Sequence, residues 1–186
     1  VISSVFSAVQ EQGRAALIPY ITAGHPVGDS TATVLHALAD SGADLIELGL
    51  PFSDPLADGP TIQSSSFSSL QNGTKVENVL AELSLFRAER EIPVVLFTYL
   101  NPVLRYGLED FLLDATESGA SGLLLTDLPV GADYGVERAV AESPLDFIRL
   151  VAPTTREERV PEIAESGSGF LYYISRAGVT GVRSQL

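Results

Sequence analysis

Apolar runs alternate with amphipathic stretches along the whole chain. The runs are residues 16–22 (ALIPYIT), 44–50 (DLIELGL), 94–99 (VVLFTY), 122–127 (GLLLTD), 147–152 (FIRLVA) and 170–175 (FLYYIS). Most are almost continuously apolar, the signature of strands buried on both faces of a parallel sheet. Between them lie STATVLHALADSG, VENVLAELSLFRAER, LEDFLLDATESG and REERVPEIAESG, each with Leu, Val, Ile or Ala at three- and four-residue spacing. That spacing predicts helices with one apolar face. Ser41-Gly42, Ser118-Gly119 and Ser166-Gly167 each close such a stretch before a strand, where glycine suits a left-handed helix cap. The unit that repeats is therefore strand plus helix.

The runs begin at 16, 44, 94, 122, 147 and 170, so the gaps are 23 to 28 residues except for one of 50 after the second run. Strand–helix–strand units with short links require a parallel sheet with right-handed crossovers. A closed (β/α)8 barrel and an open doubly wound sheet both satisfy this. Neither G-x-G-x-x-G nor G-x-x-x-x-G-K-[ST] occurs, so neither nucleotide-binding form of the open sheet is supported. A barrel needs eight strands and about 250 residues, against six runs here. The expectation is one barrel domain over residues 1–186 lacking its last two βα units, in a native chain that continues.

Composition narrows the partners. With 186 residues, 45% of them hydrophobic, the chain holds enough apolar material for a sizeable core. Net charge is −13, and Lys75 is the sole lysine; a surface this acidic repels phosphodiester backbones and anionic membranes. The absence of cysteine removes disulfides, thiol catalysis and Cys-based zinc sites, and His25 and His36 are too few for most histidine metal sites. No apolar run approaches the roughly 20 residues of a membrane span. The N-terminal VISSVFSAVQEQGR lacks the basic lead of a signal peptide, and the missing initiator Met points to processing or to residues upstream.

The 14-residue stretch ELGLPFSDPLADGP carries the candidate chemistry. Glu47 lies near the C-terminal end of the second run, the end of a barrel strand where catalytic groups gather. Apolar neighbours desolvate a carboxyl and raise its pKa towards neutrality. The competing arrangement is an outward glutamate paired with a base on a covering helix. Asp54 before Pro55 and Asp58 before Gly59 are ordinary turn residues when taken alone. Their place in the one extended connection, on the catalytic face, favours function. A calcium loop is excluded because Leu56 and Ser65 occupy ligand positions. Tyr172 in the sixth run, and Tyr99 in the third with Asn101 after it, fit packing as well as catalysis. Gly178-Val179-Thr180-Gly181 offers backbone N–H groups to an anion or serves as a flexible turn. His25 and His36 read as structural or surface groups, and residues 64–69 (SSSFSS) as a solvated helix face around Phe67.

With these residues assembled, the chain resembles the tryptophan synthase α-subunit family. The resemblance is carried by LIPYITAG (17–24), ADLIELGLPFSDPLADGPTIQ (43–63), YLNP (99–102), TDLPV (126–130), LVAPTT (150–155) and YYISRAGVTG (172–181). It implies a (β/α)8 barrel in the cytoplasm that cleaves indole-3-glycerol phosphate to indole and glyceraldehyde 3-phosphate. That is a lyase reaction of tryptophan biosynthesis, with no cofactor or metal in this subunit. The implied partner is a β subunit holding pyridoxal phosphate, in an α2β2 tetramer. Residue by residue, Glu47 matches the acid–base that protonates the indole ring carbon, Asp58 the carboxylate at the indole N–H, and Tyr172 a tyrosine beside the glutamate. Tyr20, Tyr99, Thr180 and Gly181 match substrate contacts, Gly181 at the phosphate and Thr180 closing on the aspartate. Asp54, Pro55, Asn101 and Pro129 match the face that docks on the β subunit. The family's other phosphate-binding residues follow strands seven and eight, so this stretch alone is expected to bind phosphate poorly. A docking-only fragment and another phosphate-binding barrel lyase are the alternatives. Schiff-base chemistry is disfavoured because Lys75 lies outside every run.

Overall fold

In the computed structural model, residues 1–28 and 30–175 are described. All six apolar runs form strands: β1 (Tyr20–Thr22), β2 (Ile46–Gly49), β3 (Val94–Thr98), β4 (Gly122–Leu125), β5 (Asp146–Val151) and β6 (Leu171–Tyr173). They lie in the order β1-β2-β3-β4-β5-β6, each parallel to the next. A doubly wound sheet reverses its order at a switch point; this one never does, which is the winding of a barrel. Helix α1 (Ile2–Glu11) precedes β1. The crossovers are α2 (Thr31–Asp40), then α3 (Pro60–Gln71) with α4 (Val76–Glu89), then α5 (Leu100–Tyr106) with α6 (Leu108–Glu117). Next come α7 (Tyr134–Glu142), and a 3-10 turn (Glu157–Arg159) running into α8 (Val160–Glu165).

The two faces of the sheet bury different things. Ile46, Leu48, Val94, Leu96, Leu123, Leu125 and Phe147 face the helix layer and meet Leu35, Leu83, Phe86, Phe111 and Val140. Leu45, Val95, Leu124 and Ile148 face the interior with Phe97, Leu150, Phe170 and Tyr172. Both faces are apolar, which explains why the runs read as continuous rather than alternating. Ile2 of α1 joins the interior cluster at Gly122, the first residue of β4, where an added Cβ would lie 3.2 Å from Ile2 Cδ1. Helix α1 therefore plugs the N-terminal end of the strands, opposite the candidate loops. Helices α1, α5 and α7 lie outside the four helical stretches read from the sequence pattern.

Three expectations need correction. The serine run does form a helix, begun by Gly59 as N-cap and Pro60 in the first turn, with Phe67 on its solvated face, but part of the run turns inward. Ser66 and Ser69 are buried and Phe67 is 64% exposed. Ser69 Oγ donates to the Ala23 carbonyl at 2.6 Å, and a Cβ on Gly24 (φ +70) would sit 2.0 Å from Thr74 Oγ1 and 2.7 Å from Ser69 Oγ. The backbone after β1 thus comes so close to α3 that small hydroxyl side chains fit where an apolar one does not. Second, Gly42 and Gly119 take positive φ as expected, but at the third cap Gly169 does so instead of Gly167. Gly167 is required for close approach, since an added Cβ would lie 2.6 Å from Arg149 Cγ. Third, Tyr99 is the N-cap of α5, just beyond β3.

Candidate active site

Period-two alternation along β2 sends Ile46 and Leu48 to the helix layer and turns Glu47 inward. Glu47 pairs in register with Tyr20 on one side and Val95 on the other. It is 4% exposed and borders a cavity of about 330 Å3 lined also by Phe6, Ile18, Phe170, Leu171, Tyr172 and Tyr173. Burial pushes its carboxyl up to about 7. Among the described residues no salt bridge reaches it, so the outward, paired arrangement is not the one adopted. A carboxyl in this state exchanges a proton near neutrality.

Aromatic rings surround it. Tyr20 meets Phe97 edge-on at 5.4 Å, and Phe97 meets Tyr172 edge-on at 5.9 Å. Gly49 makes room: an added Cβ would fall 2.1 Å from the Tyr20 hydroxyl. Burial pushes the Tyr20 hydroxyl up to about 12, and the charges of Asp58 and Glu47 push the same way. Tyr172 is raised first by burial and then by Glu47 and Asp58. These four side chains therefore share one electrostatic neighbourhood, in which both phenols stay neutral donors.

Asp58 stands at the end of the loop after β2, where α3 begins. Tyr99 Oη donates to Asp58 Oδ2 at 3.1 Å and accepts the Ala57 N–H at 3.0 Å. Gln63 Nε2 donates to the Asp58 carbonyl at 2.9 Å. Burial raises the Asp58 carboxyl and the Tyr99 hydrogen bond lowers it. Tyr99 is itself raised by burial and by the Asp58 charge, and its ring packs on Phe52 at 5.2 Å. The sequence marked Tyr99 as a substrate contact; its hold on Asp58 was not legible, because it joins residues 41 positions apart. Leu100, next to Tyr99, has its N–H held by Asp127 Oδ1 at 2.7 Å, which ties the loop after β3 to the loop after β4.

The residues expected at a partner face fall on successive loops at the same end. Asp54 is exposed and Pro55 half-buried after β2, while Asn101 opens α5 and Pro129 follows β4, both exposed. Leu56, which drew no attention as a docking residue, is 88% exposed between the two aspartates. A cleft of about 830 Å3 between the loops after β4 and β5 is lined by Thr126, Pro129, Arg149, Thr155 and Arg159. Glu47 lines the smaller cavity and not this cleft, while Asp58 lines neither. Thr180 and Gly181 lie outside the described residues. His25 is exposed, and His36 packs edge-on against Phe86 at 5.1 Å. Among the described residues no group of His, Asp or Glu has the arrangement to hold a metal ion, and no helix is long and apolar enough to cross a membrane.

Known proteins carry the same pattern. The family model described as tryptophan synthase alpha chain matches residues 6–186. The tryptophan synthase alpha chain of Trichormus variabilis is 46% identical over 185 residues, covering 100% of this chain and 70% of the relative. That of Synechococcus elongatus is 47% identical over 182 residues, covering 98% and 68%. Among solved structures, tryptophan synthase subunit alpha from Legionella pneumophila superposes with a TM-score of 0.89 at 40% identity, covering 94% of this chain and 67% of that one. A Mycobacterium tuberculosis tryptophan synthase structure gives 0.91 at 39% identity, covering 99% and 71%. With a family match over almost its full length, and with the barrel winding and the buried strand-two glutamate in place, the chain belongs to the tryptophan synthase alpha chain family.

Proposed function

We propose that this chain performs the lyase step of its family with Glu47 as the proton-transfer group and Asp58 as the charge-stabilising carboxylate. The substrate is indole-3-glycerol phosphate, and the step is a retro-aldol cleavage. Protonated Glu47 delivers a proton to the ring carbon that bears the side chain, giving a cationic indolenine. Asp58 accepts a hydrogen bond from the ring N–H and stabilises that cation. The carbon–carbon bond then breaks, its electron pair returning to the ring, while the neighbouring hydroxyl loses its proton to ionised Glu47 and becomes the aldehyde. Atoms and protons balance to indole and glyceraldehyde 3-phosphate, and no cofactor in this chain is needed. The one observation that carries the reading is a buried Glu47 carboxyl, unpaired among the described residues and raised to about 7 beside an aromatic-lined cavity, since such a group is both acid and base near neutrality. Tyr20, Tyr172 and Tyr99 wall the ring, and Thr180 and Gly181 contact the substrate, Gly181 at the phosphate.

The exposed loops carrying Asp54, Pro55, Asn101 and Pro129 are read as the docking face for a β subunit that holds pyridoxal phosphate, in a cytoplasmic α2β2 assembly. Glu47→Gln tests both halves. Indole release from the full chain with β subunit is expected to fall by about 10²–10⁴-fold, while activation of the β subunit persists. Retained cleavage would refute the role given to Glu47; loss of cleavage and activation together would refute the separation of chemistry from docking.

A further inference from the structure

One buried ion pair lies outside the catalytic cavity. Arg149 of β5 is 4% exposed, and its Nη2 donates to Glu137 Oε2 of α7 at 2.6 Å. Its guanidinium stacks 3.8 Å from the centre of the Phe147 ring, while Nε donates to the Ser166 carbonyl at 3.3 Å and Nη1 to the Leu128 carbonyl at 3.4 Å. The second oxygen of Glu137 accepts the N–H groups of Gly131 at 2.9 Å and Asp133 at 3.3 Å. Arg159 Nη2 adds a donation to the Val130 carbonyl at 3.3 Å. Residues 129 and 131–133 are themselves exposed, so their own burial does little to shape them.

A buried ion pair is a weak stabiliser, because well-packed apolar groups often replace it without loss. What apolar groups do not replace is the carboxylate oxygen that holds Gly131 and Asp133. We propose that Glu137 is a positioning residue whose side-chain oxygen, on the Gly131 and Asp133 amides, fixes the 128–133 loop in the shape that presents Pro129 to the β subunit. The proposal rests on the docking face assigned above. The loop's other end is held at Asp127, whose side chain grips the N–H next to Tyr99. One strut therefore runs from the helix layer, past the docking residue, to the tyrosine that orients Asp58.

The test compares two double variants of the full chain, both lacking the ion pair. Glu137→Leu with Arg149→Met removes the tie to the loop. Glu137→Gln with Arg149→Met keeps a carbonyl oxygen for Gly131 and Asp133. The first is expected to raise the Kd for the β subunit by roughly tenfold or more, through lost preorganisation, with an unfolding midpoint close to that of the parent. The second is expected to bind like the parent. Amide exchange at Gly131 and Asp133 should quicken in the first variant only. Unchanged exchange in the leucine variant overturns the positioning role, as does equal loss of affinity in both variants. A parent chain that does not bind the β subunit overturns the docking face instead, while the exchange rates still report on the loop.

Discussion

Glu47 and Tyr99 illustrate how differently two site residues depend on their surroundings. Glu47 owes its state to its strand: an apolar run buries whatever it carries, so a carboxyl within it is desolvated. That much was legible from LIELG. Tyr99 owes its role to a fold-dependent approach, its hydroxyl lying between the Ala57 N–H and the Asp58 carboxylate. Tyr99→Phe removes a donor to a charged group, a contact of about 1.5–3 kcal/mol, so turnover is expected to fall by roughly 10–100-fold with little change in fold. Because Tyr99 lowers the Asp58 carboxyl, its loss lets that carboxyl rise. The acid limb of the pH–rate profile should therefore move to higher pH in the variant. A limb that stays in place would remove Asp58 from the rate-determining chemistry.

At the level of elements, the strands and helices α2, α4, α6 and α8 followed from periodicity, and the close approaches between elements did not. Gly49 sits in β2 because the Tyr20 ring crosses its face. Gly49→Ala is expected to destabilise by about 1–3 kcal/mol through overpacking and to raise KM by displacing Tyr20, measured by denaturant unfolding and steady-state kinetics. Helix α3 gives the complementary lesson. A serine-rich segment reads as solvated, yet Ser69 is buried with its hydroxyl on the Ala23 carbonyl. Ser69→Ala should cost about 1 kcal/mol, whereas Ser69→Val adds bulk beside Gly24 and should cost more. Phe67, by contrast, lies on the solvated face.

For the whole molecule, two carboxyls shape the pH dependence of stability in opposite directions. Asp44, paired with Arg14 at 2.7 Å through both oxygens and with the Leu17 N–H at 2.8 Å, is held at about 2, the Arg14 hydrogen bond acting most. A depressed carboxyl contributes stability above its unfolded value of about 4, and loses it as pH falls through 2. Glu47 is raised to about 7 by burial. Its folded form retains the proton longer than the unfolded chain, so stability falls as pH rises from about 4 to 7 and then levels off. Glu47→Gln is expected to abolish that decline and to gain on the order of 3 kcal/mol over the parent at pH 8. Asp44→Asn should flatten the acid side alone. Denaturant melts from pH 2 to 8 separate the two.

The sheet and the chemistry arise at different levels of information. The positions of the strands, their parallel sense and the desolvated glutamate follow from local patterning: continuous apolar runs, helical spacing between them, and a carboxyl inside one run. Each requires only near neighbours in sequence, and so each is visible there. The association of Tyr99 with Asp58, the space Gly49 leaves for Tyr20, the buried face of α3 and the Glu137–Arg149 strut join residues brought together by packing between elements. Their geometry depends on ångström-scale separations across the barrel. Residue type and spacing along the chain carry no record of those distances.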